Sequence, residues 1–85
     1  MAEPKNTAEL VRKLQALGVP DHRYTIGGFG AGEVDGIEQV NGVWCTYYSE
    51  RGMRNDLKRW RSEEEACAEI YRTVVATARA LGEIT

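Results

Sequence analysis

The sequence predicts an α+β protein: an antiparallel meander of three or four strands flanked by an N-terminal and a C-terminal helix. In the order αβββ(β)α this makes a two-layer sandwich. Three observations carry the prediction. Apolar residues recur at helical spacing near both ends, the middle is rich in β-branched and aromatic residues, and Asn41-Gly42 sits between two such runs. The 85 residues suffice for one domain, taken as 1–85. A domain of that size buries about 60–65% of its unfolded surface.

In the first helix, from about Thr7 to Leu17, residues Leu10, Val11, Leu14 and Leu17 form one stripe. Asn6 or Thr7 caps its start, and Asn6 with Glu9 has the spacing of a capping box. Gly18 followed by Val19-Pro20 stops it, since Gly takes the left-handed conformation and Pro cannot continue a helix. Tyr24-Thr25-Ile26 reads as a short strand ended by the glycine-rich run from Gly27 to Gly32. Val34 to Val40 is a second strand. Asn41-Gly42 then supplies the two positive-φ residues of a tight hairpin turn. Val43 to Ser49 is the third strand, and Arg51-Gly52 makes a turn, two-residue or bulged, into a return strand from Arg54 to Trp60. Ser62 with Glu65 forms a second capping box, and three carboxylates there suit the helix dipole. Cys67, Ile70, Tyr71, Val74, Ala78 and Leu81 continue the last helix as one stripe until Gly82.

A two-residue turn places Val40, Val43, Cys45 and Tyr47 on one sheet face and Ile37, Trp44, Thr46 and Tyr48 on the other. An antiparallel sheet backed by helices normally turns a polar second face to water. Apolar residues on both faces therefore predict a contact surface.

Composition removes several functions. Hydrophobic residues make up 42% and charged residues 28%, the balance of a folding chain. One His and two Cys fall short of the four N/S ligands of a structural zinc site, and no cofactor or metal is expected. Cys45 and Cys67 do not make a disulfide framework; both are expected as buried small hydrophobes, Cys45 on the helix-facing stripe of its strand. No run approaches the roughly 18 apolar residues of a membrane span. Met-Ala-Glu-Pro-Lys-Asn lacks a signal-peptide core, and the net charge is −2. The expectation is a cytoplasmic protein, free of membrane and nucleic acid, a monomer or weak dimer on its own.

No enzyme is expected either. The Gly27–Gly32 run lacks the third glycine of a phosphate loop and leads into a strand, not a helix. His22 has no nucleophile or orienting partner in a recognisable motif. Asp35 and Glu38 differ in strand parity, which argues against a catalytic dyad and for an acidic edge.

Charge is unevenly spread. From Tyr24 to Gly42 there are three acids and no Lys or Arg, whereas Glu50 to Arg61 holds five bases against two acids. Ser62 to Glu69 adds four more acids. Mutual surface ion pairs are one explanation; a bipolar surface that selects a partner is the other. Tyr47 to Gly52 brings Tyr, Glu and Arg to one sheet edge, and Tyr and Arg are common interface anchors. The candidate contact residues are Trp44, Tyr48, Glu50, Arg51 and Arg54 on the central hairpin, with Glu33 and Asp35 on the acidic edge.

Two families show this organisation. The element order resembles the double-stranded RNA-binding domain, whose second helix opens on a lysine cluster aimed at phosphates. Here that place reads Ser62-Glu63-Glu64-Glu65-Ala66, which repels phosphate. The closer resemblance is to small immunity proteins encoded beside bacterial polymorphic and contact-dependent toxins. It rests on Ala16-Leu17-Gly18-Val19-Pro20 with Tyr24-Thr25-Ile26, then Gly42-Val43-Trp44, Tyr47 to Gly52, and Trp60-Arg61-Ser62-Glu63-Glu64-Glu65-Ala66-Cys67. The resemblance implies a non-catalytic inhibitor that binds one cognate toxin domain and occludes its active site. A toxin acting on nucleic acid, nucleotides or NAD has a basic cleft, whose phosphate positions Glu33, Asp35 and Glu50 would occupy. The alternative is a small self-associating regulatory or structural module pairing through its sheet.

Overall fold

In the computed structural model, which describes residues 3–27, 33–50 and 53–85, the Asn6 side chain opens helix α1 (Thr7–Leu17) by accepting from the Glu9 amide at 2.9 Å. Glu9 in turn accepts from the Lys5 amide at 3.0 Å, one residue ahead of the expected partner. At the other end Gly18 adopts φ +84°, and the amides of Gly18 and Val19 donate to Gln15 and Leu14. A short 3-10 turn, Asp21–Arg23, leads into β1 (Tyr24–Ile26). Strands β2 (Val34–Val40), β3 (Val43–Glu50) and β4 (Met53–Trp60) follow, and helix α2 (Glu63–Ala80) closes the fold. Ser62 caps α2 by accepting from the Glu65 amide at 3.2 Å.

The fold is the predicted α+β architecture, with strand order β1-β2-β3-β4. The last three strands form the meander, and Asn41 (φ +51°) and Gly42 (φ +81°) make the hairpin turn between Val40 and Val43. One strand departs from it: β1 lies parallel to β2, with Tyr24 opposite Asp35 and Ile26 opposite Ile37. Tyr24 packs at the margin of the core, and Arg23 just before it donates two hydrogen bonds, at 2.6 and 2.7 Å, to the Glu83 carboxylate. These two anchors hold the start of β1 beside the start of β2. The Gly27 amide extends the parallel ladder by donating to Ile37 O at 2.7 Å.

A bulge sits inside β4. Thr46 pairs with Lys58 and Tyr48 with Asn55, so Asp56 and Leu57 together oppose Tyr47, and Asp56 takes φ +54°. The extra residue reverses the parity of everything before it. Trp60 and Lys58 lie on the α2 side of the sheet, and so do Asn55 and Met53, whereas Arg54 passes to the opposite face beside Ser49.

Helix α2 crosses β2, β3 and β4, and α1 lies chiefly against α2. Leu10, Leu14, Ile37, Cys67, Ile70 and Val74 form the centre of the core, each no more than 2% exposed. Trp44 and Trp60, cross-strand partners, flank it. The Trp60 indole N–H donates to Thr46 Oγ1 at 2.9 Å, which satisfies two polar groups that burial would otherwise strand. Two features join the chain ends to this frame. The Thr7 amide donates to Glu63 at 3.0 Å, so α2 helps cap α1, and Arg23 grips Glu83 just beyond α2.

Cys45 corrects one expectation. It is buried, but on the face shared with Val40 and Tyr47, away from α2, whereas Cys67 belongs to the core stripe. Burial pushes the Cys67 thiol up to about 11, so it is protonated at neutral pH. On the outer face the Tyr47 ring lies over Gly36, where an added Cβ would meet ring carbons at 2.3 Å. The Arg54 guanidinium stacks on that ring, 5.0 Å from its centroid, and pairs with Glu38 at 2.5 Å. No helix among the described residues is long and apolar enough to cross a membrane.

The Arg23–Glu83 pair has a testable pH signature. Hydrogen bonds from Arg23 hold the Glu83 carboxyl below its ordinary range. A depressed carboxylate stabilises the fold above its unfolded pKa, and that contribution disappears as pH falls through the folded pKa. In an NMR titration Glu83 is expected to protonate below the ordinary glutamate range and to return to it in Arg23→Ala. An unshifted Glu83 in the native protein would show that the pair does not persist in solution.

Candidate functional site

Helix α2 is narrower than the sheet, and the strip it leaves open beside β3 and β4 is a cleft of about 410 Å³. Alternation along β2 and β3 brings Asp35 and Tyr48 to its floor as a cross-strand pair. Leu57, delivered by the bulge, and Ile70, from the core stripe of α2, supply apolar wall. Lys58 borders the cleft too, but its ammonium lies 3.5 Å from the Glu69 carboxylate on α2.

Asp35 is the chemically unusual member. Its side chain has no hydrogen-bond or ion-pair partner among the described residues, and burial alone raises its carboxyl above the ordinary range. Tyr48 beside it is raised as well, by burial first and then by the negative charges of Glu33, Glu50 and Asp35, with a hydrogen bond to Glu33. Glu33, Asp35, Tyr48 and Glu50 thus form one acidic, aromatic end of the sheet on the α2 side.

The remaining candidates are distributed otherwise. Trp44 is half-buried at the margin of the core, opposite Trp60 on β4. Arg54 lies on the opposite face with Glu38 and Tyr47. Arg51 lies outside the described residues, as does most of the glycine-rich run, residues 28–32. Asp35 and Glu38 point to opposite faces, as their parity predicts. Sequence reasoning missed Asp56, Leu57 and Ile70 as neighbours of Asp35. The signal that could have found Asp56 is its tolerance of positive φ, which Asp shares with Asn and Gly.

No group of three or more His, Cys, Asp or Glu suited to a metal occurs among the described residues. The arrangement can bind. A half-buried carboxylate next to a tyrosine ring and apolar walls recognises a cation with an apolar stem. No family model matches the chain, and no curated protein or solved structure matches it.

An unpaired, desolvated carboxylate costs stability. Because the folded pKa of Asp35 is raised, the stability linked to its protonated form is complete below the unfolded pKa and is lost as pH rises through the folded one. Asp35→Asn is therefore expected to raise the melting temperature at neutral pH, with the two proteins converging in acid. A variant less stable than the parent at pH 7 would mean that Asp35 has a stabilising partner in solution.

Proposed function

We propose that this protein is an immunity-type inhibitor that binds one cognate toxin domain of a bacterial polymorphic or contact-dependent system and covers its active site. The observation that carries the proposal is the cleft beside α2, with Asp35 at its floor, without a partner among the described residues, and Glu33, Tyr48 and Glu50 around it. Stability spent on a half-buried charge is typical of a surface kept for a partner. A toxin that acts on nucleic acid, nucleotides or NAD has the complementary, basic cleft. Such an inhibitor protects the producing cell from its cytoplasm, needs no cofactor and performs no chemistry of its own. The RNA-binding alternative meets four carboxylates between Glu63 and Glu69.

The test is an affinity capture of the tagged chain from its own cells, identifying both protein and nucleic acid. One stoichiometric partner, the C-terminal domain of a large secreted toxin, is the expected result. Glu33→Lys with Asp35→Lys is expected to weaken that complex by more than 1.4 kcal/mol, roughly tenfold in Kd. Recovery of RNA, or an unchanged Kd in the double variant, would overturn the proposal.

A second reading has its own observation. Val40 (40%) and Val43 (39%), cross-strand partners on the outer face, stay exposed although they are large and apolar, which suits a module that pairs through its sheet. Sedimentation decides it: a concentration-dependent dimer with no captured toxin favours self-association.

A further inference from the structure

The inhibitor reading leaves open which group of the toxin domain the cleft receives, and the inference here rests on that reading. We propose that the cleft between the β3–β4 pair and α2 seats one arginine side chain of the partner, its guanidinium paired with Asp35 and stacked on Tyr48. Three features of the cleft select this occupant. First, the charge at the floor is unanswered among the described residues: Asp35 has no partner there, and the nearby Lys58 is already paired with Glu69. Second, the site is half-buried, and a guanidinium gives up its weak hydration more easily than an ammonium does. Third, a tyrosine ring stands beside the carboxylate, which suits a planar cation that stacks and forks at once, while Leu57 and Ile70 line a path for an aliphatic stem. The cleft volume of about 410 Å³ accommodates a side chain and leaves no room for a folded element.

The same geometry assigns the bulge a role. With Asp56 inserted in β4, Arg54 is turned to the far face and paired with Glu38. Without that insertion, alternation would carry Arg54 to the α2 side, onto the strand segment facing Asp35 and Tyr48. The irregularity keeps this guanidinium off the side on which the partner's is received.

The experiment is an NMR titration of the full labelled chain with N-acetyl-arginine amide. N-acetyl-lysine amide and the neutral N-acetyl-citrulline amide serve as comparison probes. Saturable shifts centred on Asp35, Tyr48 and Leu57 are expected for the arginine probe, weaker ones for lysine and none for citrulline. Asp35→Asn, checked for native chemical-shift dispersion, is expected to weaken the arginine probe roughly tenfold, the loss of one charge-assisted pair. Equal response to citrulline, equal affinity for lysine, or an unaffected Asp35→Asn would overturn the proposal. Such a failure with toxin capture intact removes the arginine seat alone; loss of capture itself removes the inhibitor reading.

Discussion

Gly36→Ala is expected to lose about 3 kcal/mol of stability, read as a fall in the urea midpoint with an unchanged slope. The cause is local and specific. Gly36 pairs with Tyr47 across β2 and β3, and the Tyr47 ring lies so close that a Cβ would overlap Cε2 and Cζ at 2.3 Å. The ring has little room to retreat: Tyr47 is 4% exposed and carries Arg54 on its face. Relief therefore requires the strands to part or the Arg54–Glu38 pair to break. Combining Gly36→Ala with Tyr47→Ala is expected to cost at least about 1 kcal/mol less than the sum of the two single changes, since the second removes the obstacle met by the first. A Gly36→Ala protein within about 0.5 kcal/mol of the parent would show that the ring does not occupy this position in solution.

Ile70→Ala is expected to cost about 2–5 kcal/mol, against about 0.5–1.5 kcal/mol for Ile70→Val. Ile70 is 2% exposed and sits where the core meets the cleft, so truncation opens a void under the cleft wall. Against a total of about 5–15 kcal/mol for a natural domain, the larger change removes a substantial share. Equal, small losses for both variants would mean that α2 settles onto the sheet and closes the void. Thermal or denaturant unfolding at neutral pH measures each.

The elements themselves were legible because each carries its own local chemistry. Asn6 and Ser62 cap the helices, Gly18 ends α1, and Asn41-Gly42 turns the hairpin. The two-face alternation of β2 and β3 followed from that turn and grouped Ile37 with Tyr48 on one face, but the face carrying Cys45 was expected to meet the helices, whereas α2 lies on the Ile37 side. What escaped is decided by contacts distant in sequence. The parallel β1 begins where Arg23 meets Glu83, a contact sixty residues apart in sequence. The side on which Arg54 emerges depends on one extra residue at Asp56, which alternation cannot reveal. Trp44 was a candidate anchor by residue type, and its half-buried place at the core margin, opposite Trp60, is set by a cross-strand partner sixteen residues on. The acidic end of the site was visible as charge, but the cleft that makes Asp35 distinctive exists only once α2 lies across the sheet.

The placement of α2 after the sheet in the sequence also governs how the protein is born. As the chain leaves the ribosome, α1 and the hairpins emerge first, and the hairpins can close on local contacts alone. Ile37, Trp44 and Trp60 then face solvent until α2 follows, and α1 lacks both the helix it lies against and Glu63, which satisfies its Thr7 amide. Until α2 is made, the sheet is bare and sticky and α1 lacks its support, and α2 completes both together.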